Sequence, residues 1–245
     1  LPKSITIFVF FGRLKMNEKT RLNIFASQTE NVRLLEKAFK RTNRSLNVNI
    51  RRGNHLEVEI DTKILTLLYC SWSEAYFSKL IHTPAGFNLQ EIEQIKKCGK
   101  GNIATGWEKC LELAMRKAKA NGKSNFFPNA RQKLKSAIKT NVIDLSRFRN
   151  KFAHGQMSIA LTRDNTAIDQ ELSLQIKNLD PVQIYRWKTA QTYILQIIEH
   201  LIESPKKHFI KSYITNLAEL DQFLIQTKNW TLQTKFQTLQ LKKRP

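Results

Sequence analysis

The sequence predicts an all-α fold, a helical bundle carrying two small β-hairpin insertions. Apolar residues recur at steps of three, four and seven along most of the 245 residues. Two short stretches switch instead to a period of two, and Gly and Pro are scarce, at 8 and 6, which leaves little chain for long linkers.

The elements follow in order. Residues 1–15, with the apolar run Ile5 to Phe11 behind Lys3, superficially resemble a signal peptide but lack a small-residue cleavage site. They are expected to be an unstructured or non-native leader, outside the fold. From Asn17 to about Arg41, Leu22, Phe25, Val32, Leu35 and Phe39 give an amphipathic helix. Leu46, Val48 and Ile50 then alternate with polar residues, Arg52-Gly53-Asn54 supplies a turn, and Leu56, Val58 and Ile60 alternate again, which predicts the first hairpin. This helix and hairpin form an N-terminal part, 16–61.

The bundle is expected over 62–230. Asp61 or Thr62 caps a central core helix carrying Ile64, Leu65, Leu68, Trp72, Tyr76, Leu80 and Ile81, which ends before Pro84 and Gly86. Short helices follow at 91–97 and 103–120. Asn129 caps a long helix whose stripe is Leu134, Ile138, Val142, Leu145, Phe148 and Phe152, with Gly155 as its C-terminal glycine. A second hairpin is expected from Met157–Thr162 and Ile168–Ile176 around Arg163-Asp164-Asn165. Asp180-Pro181 opens a helix to about Ile202, and Pro205 precedes a last helix to about Trp230. The basic tail, 231–245, is read as frayed or as a small phosphate-binding arm ending in Lys242-Lys243-Arg244.

Charge narrows the function. Lys and Arg number 41 against 20 Asp and Glu, a formal +21. An excess of that size fits a polyanion, above all nucleic-acid phosphate, although a solvated surface or an acidic partner protein also accommodates it. Residues 96–135 alone hold eleven Lys or Arg against two Glu, a net +9 that includes Lys123, Arg131, Lys133 and Lys135. Phe126 and Phe127 in this region either plug the bundle or stack on bases.

Other chemistries find no motif. Cys70, Cys98 and Cys110 are odd in number and show no C-x-x-C spacing, so neither a disulfide framework nor a zinc site is signalled, and a reducing cytoplasm fits. His55, His82, His200 and His208 lack ligand-spaced partners and read as solvated or capping residues. No Walker loop or G-x-G-x-x-G occurs, and no cofactor is expected. No apolar run reaches the length of a membrane-spanning helix, so no membrane partner is expected.

One segment carries groups suited to reaction. At 100° per residue with Phe152 as zero, Asn150, His154 and Arg147 fall between about 160° and 220°, opposite the apolar stripe. Arg149 falls at about 60°, inside the stripe, where a guanidinium needs a partner. Glu74 on the core helix is one candidate; a local deformation of the helix, or an Arg149 side chain that reaches round toward His154, are the others.

Arg149-Asn150-x-x-x-His154 followed by Gly155 resembles the R-x(4–6)-H signature of the HEPN superfamily, in which a polar residue commonly follows the arginine. The segment Ser71-Trp72-Ser73-Glu74-Ala75-Tyr76-Phe77 is similar to the early core helix of HEPN proteins from prokaryotic defence and toxin systems. The resemblance implies a HEPN-type bundle acting as a metal-independent endoribonuclease. Its catalytic residues would be Arg149, His154 and Asn150, supported by Glu74, Arg147 and Lys151, with RNA held by Lys123, Arg131, Lys133 and Lys135. It further implies a homodimer whose two motifs share one cleft, a toxin or anti-phage setting, and an antitoxin or sensor protein as partner. The residue chemistry agrees: an imidazole exchanges protons near neutrality, and a guanidinium holds phosphate oxygens through paired hydrogen bonds. The competing readings are a non-catalytic HEPN module that binds RNA or protein, and a basic DNA-binding regulator.

Overall fold

In a computed structural model of the chain, the described residues are 16–100, 103–119, 126–141, 146–204 and 209–241. Among them the regular structure is helical: α1 (Glu18–Arg52), α2 (His55–Ile81), α3 (Leu89–Gly99), α4 (Ile103–Lys119), α5 (Phe126–Asn141), α6 (Ser146–Ala153), α7 (Gln170–Lys177), α8 (Pro181–Glu203), α9 (Phe209–Gln226) and α10 (Leu232–Leu241).

The first hairpin expected from the sequence is absent, and its two arms are the ends of α1 and α2. Leu46 and Ile50 are spaced by four as well as by two, and Leu46 continues the seven-residue step from Val32 and Phe39. All four are buried, whereas Val48, the residue that a strand would have placed with them, is exposed. A helix already running from Asn17, whose side chain accepts from the Thr20 N–H at 2.8 Å, therefore propagates through the ambiguous stretch at little cost. The turn itself is where the sequence put it. Gly53 is left-handed, with φ 71°, and its N–H donates to Ile50 O at 3.1 Å while that of Asn54 donates to Asn49 O at 3.0 Å. These two bonds close α1 in a Schellman motif and reverse the chain into α2. Asp61 and Thr62 lie inside α2 instead of capping it, Asp61 accepting from Asn49 Nδ2 across the helix pair at 2.9 Å.

The centre of the bundle is α8. Asp180 caps it through the Val182 N–H at 2.7 Å, Pro181 occupies its first turn, and Ile184, Ala190, Ile194, Leu195, Ile197, Ile198 and Leu201 are all fully buried. It packs against α2, α4, α5 and α9, so the core helix expected at 62–81 shares that role. Polar groups fix the register of α2 against α8: Tyr69 donates to Gln191 at 2.7 Å, Gln191 donates to Ser73 at 2.6 Å, and Lys79 pairs with Glu199 at 2.8 Å.

Three further expectations change. The helix expected from Asn129 to Phe152 is seen as α5, which already begins at Phe126, and α6, with 142–145 outside the described residues. The second hairpin reduces to one antiparallel bridge between Leu161 and Ile168, because Asp169 accepts from the Leu172 N–H at 3.0 Å and starts α7 where a strand was expected. The tail holds α10, whose Leu239 is buried and whose Gln240 side chain donates to Arg51 O at 3.0 Å. Thr231 and Thr234 cap it reciprocally, each backbone N–H meeting the other's hydroxyl. Phe236 and Leu239, spaced by three, are the apolar side chains that pack it onto the core.

Among the described residues no helix is long and apolar enough to cross a membrane, and no group of three or more His, Cys, Asp or Glu side chains is placed to hold a metal ion.

Candidate functional site

Eight residues are too few for a helix to persist alone in water, so α6 depends on what holds it. Phe148 and Phe152, one turn apart, are both buried and face each other with ring centroids 6.2 Å apart. They seat α6 against α2. At its C-terminus Gly155 takes φ 77°, its N–H donating to Phe152 O at 3.1 Å and that of Gln156 donating to Lys151 O at 2.9 Å. This second Schellman motif satisfies the last carbonyls and fixes where the helix stops.

That stop places His154 on the final turn, exposed, with its imidazole free of hydrogen bonds or ion pairs to other described residues. Asn150 and Ala153 share its exposed side. Arg149 points instead toward α2. Its Nη2 lies 3.3 Å from Glu74 Oε2 and its Nη1 donates to Asn150 Oδ1 at 3.0 Å. The sequence pattern placed this guanidinium inside the apolar stripe and so expected it buried; the structure leaves its side chain 43% exposed and that of Glu74 42%. The long arginine stem covers apolar surface while its head remains at water. With two of its nitrogens engaged, the five-donor guanidinium retains N–H groups for an incoming anion.

Beneath the pair lies Cys70, buried one turn before Glu74 on α2. Burial pushes its thiol up to about 12, and the Glu74 carboxylate adds to the rise. A hydrogen bond and the charge from Arg149 act in the opposite direction without overcoming burial. A thiol so disfavoured as thiolate is a packing residue here, not a nucleophile.

The remaining site residues from the sequence reading divide. Lys151 donates to Leu161 O, so it ties α6 to the following turn and is occupied. The side chain of Arg147 and all of Lys123 fall outside what is described. Arg131 and Lys135 line a cleft of about 320 Å³ between α4 and α5, together with Glu108, Lys109 and Glu112. Carboxylates partly neutralise it, Lys135 pairing with Glu108 at 3.3 Å and Lys109 with Glu112 at 3.0 Å. Lys133 is exposed on α5. The structure therefore brings Arg149, Asn150 and Glu74 together, leaves His154 one turn away, and sets Arg131 and Lys135 in a separate cleft. The side chains of Phe126 and Phe127 are not among those described.

Sequence reasoning overlooked an exposed apolar stripe on the N-terminal half of α2. Leu56, Ile60 and Ile64 repeat every four residues on α2 at 66%, 41% and 37% exposure, and fall within about 80° of Glu74 on the helix circumference. Their spacing was legible; assigning Leu56 and Ile60 to a strand hid it. Compared with known proteins, the chain matches no family model, no curated protein and no solved structure.

Proposed function

We propose that this chain is a metal-independent endoribonuclease of HEPN type that cuts RNA from the surface built by α6. The observation that carries the reading is the Arg149–Asn150 contact together with an unengaged His154 on the capped end of the same helix. The overall charge of +21 and the all-helical described structure are consistent with it. Arg149 binds a phosphate oxygen and offsets the charge that grows on phosphorus. Asn150 orients the guanidinium or the phosphate.

His154 removes the proton from the ribose 2′-hydroxyl, whose oxygen attacks the adjacent phosphorus. The bond from phosphorus to the 5′-oxygen breaks, and that oxygen takes a proton from a second acid. The products are a 2′,3′-cyclic phosphate and a 5′-hydroxyl. The second acid is the His154 of another copy, because one imidazole acting as base cannot be the acid of the same step. The exposed apolar stripe Leu56, Ile60 and Ile64 lies on the same side of α2 as Glu74, about 15–27 Å along the helix from it, and gives a second copy something to bury. A toxin or anti-phage effector restrained by an antitoxin or sensor, acting in the cytoplasm, is the biological setting proposed with this activity.

One observation favours a second reading. Arg149 and His154 are five residues apart and so point about 140° from each other on α6, and Arg149 is already paired with Glu74. A binding module of the same fold needs no convergence of the two. The test is incubation of the purified chain with end-labelled RNA in EDTA, with mapping of the product ends. Cyclic-phosphate ends that disappear with His154→Ala support the ribonuclease; RNA that is bound and left intact supports the binding module.

A further inference from the structure

The densest unopposed charge in the described structure lies away from α6, on the C-terminal half of α1. Residues 37–52 hold Lys37, Lys40, Arg41, Arg44, Arg51 and Arg52 and no Asp or Glu. At 100° per residue, with Arg44 as zero, all six lie between about −40° and +80°. The buried Val32, Phe39, Leu46 and Ile50 sit about 150° from the centre of that sector, so it faces away from the core, although Arg51 within it is only partly exposed, with its Nε buried and its carbonyl bonded by Gln240 of α10. Lys37, Lys40, Arg41, Arg44 and Arg52 are exposed, and among the described residues none of the five has an ion pair or a side-chain hydrogen bond. The acids at the edge are engaged elsewhere: Glu36 accepts from Trp72 Nε1 at 3.3 Å and Glu30 pairs with Arg33.

We propose that this outer face of α1 binds the sugar-phosphate backbone of a nucleic acid, as a platform separate from the surface of α6. The ridge from Lys37 to Arg52 is about 22 Å long at 1.5 Å per residue, the axial length of roughly six phosphates of one duplex strand at about 3.4 Å each. Keeping so many like charges together on one face costs repulsion that a polyanion removes. An anionic membrane fits less well. The apolar face of α1 is consumed by the protein core, so nothing remains to enter a bilayer as an interfacial helix does. An acidic protein fits less well also, because Val48 is the one apolar side chain within the ridge and there is no aromatic anchor.

The ridge and Arg149 stand on opposite sides of α2. Asp61 and Trp72, which bond to α1, lie about 140–180° round that helix from Cys70 and Glu74, which face α6. One short strand cannot touch both, so the ridge extends the footprint of a long nucleic acid and reads no sequence. The proposal does not require that α6 cleaves anything.

The test uses the full chain carrying Lys37→Gln, Lys40→Gln, Arg41→Gln and Arg44→Gln. Its control carries Lys19→Gln, Lys97→Gln, Lys211→Gln and Lys228→Gln, which removes the same total charge from scattered exposed positions. Affinities for one labelled 30-nucleotide sequence, as RNA and as DNA, and for phosphatidylserine vesicles are measured between 50 and 200 mM salt, with melting curves to show that each variant is folded. The ridge variant is expected to lose nucleic-acid affinity by up to about 100-fold at 0.1 M salt, and the slope of log affinity against log salt falls by about two to three. The control loses less than about fivefold. Loss for RNA and DNA alike identifies the shared backbone as the ligand; loss for RNA alone assigns the ridge to ribonucleotides. Equal losses in ridge and control variants, or ridge dependence confined to vesicles, overturns the proposal. His154→Ala, bound and assayed in parallel, reports on the ribonuclease reading independently, since its binding is expected to be unchanged whether or not the parent cuts.

Discussion

The two basic helices α1 and α6 differ in how their charges are supported. On α1, the five exposed cations of the ridge repeat one chemistry along part of a helix of 35 residues anchored by four buried apolar side chains. On α6 and its C-terminal cap, Arg149, Asn150 and His154 fall within six residues, and Phe148 and Phe152 are the buried side chains of that helix among the described residues. Charge for affinity can be spread over a long, secure element, where each residue contributes a little. Groups for reaction must hold fixed positions, and under the proposed function that precision would draw on the two buried rings, the glycine cap and the Lys151 contact with Leu161 O. The contrast implies that single substitutions on the ridge leave stability within about 0.5 kcal/mol, while changes near α6 act strongly or hardly at all according to what they touch.

The largest effect is expected for Phe152→Ala. It removes a buried ring whose loss typically costs about 3–5 kcal/mol, and any cleavage should fall with it because α6 loses one of the two rings that seat it against α2. A urea midpoint within error of the parent would show that α6 is held by something else. Next comes alkaline pH. Cys70 ionises near the ordinary thiol value of 9.0 when unfolded and near 12 when folded. Between those values the unfolded state binds fewer protons, so stability falls as pH rises above about 9. Burial also raises the Cys110 thiol, and Cys70→Ala should therefore reduce the decline without abolishing it, as read from urea midpoints at pH 8, 9 and 10. The same burial makes Cys98, which is exposed, the fast-reacting thiol in native protein, with Cys70 and Cys110 reacting on unfolding.

A smaller effect attends Gly155→Ala. A left-handed residue with φ 77° costs a side chain roughly 1–2 kcal/mol, although open space surrounds the position where its Cβ would stand. Around α6 the smallest effect on stability is expected for Arg149→Ala. Its pair with Glu74 is more than two-fifths exposed on both sides, and pairs that wet contribute about 0–1 kcal/mol. A loss of several kcal/mol on melting would mean the guanidinium is buried in solution as the apolar stripe in the sequence suggested.

How much of this was legible depends on what decides each feature. Helices fixed by long stripes and strong caps, such as α8 behind Asp180-Pro181, could be read directly because the local signals agree with the packing. The stretch 46–60 could not, since Leu46 and Ile50 satisfy both a two-residue and a four-residue period, and only continuity with Val32 and Phe39 settles it. The turn at Gly53 was legible as a turn but not as one between helices, because a left-handed glycine serves both. At the site, sequence could name Glu74 as a partner for Arg149 but could not give the exposure of the pair, which depends on how α6 lies on α2. The ridge is hidden in the sequence because the helix reads as ending near Arg41, which separates Lys37, Lys40 and Arg41 from Arg44, Arg51 and Arg52.

Whether α6 carries chemistry as well as charge is read by measuring rate and affinity together on one preparation of His154→Ala. With labelled RNA in EDTA, the account predicts that the parent cuts, that the variant's single-turnover rate falls by at least about 100-fold, as loss of a general acid–base group does, and that its RNA affinity stays within about twofold of the parent's. Cleavage by His154→Ala at the parental rate would contradict the account.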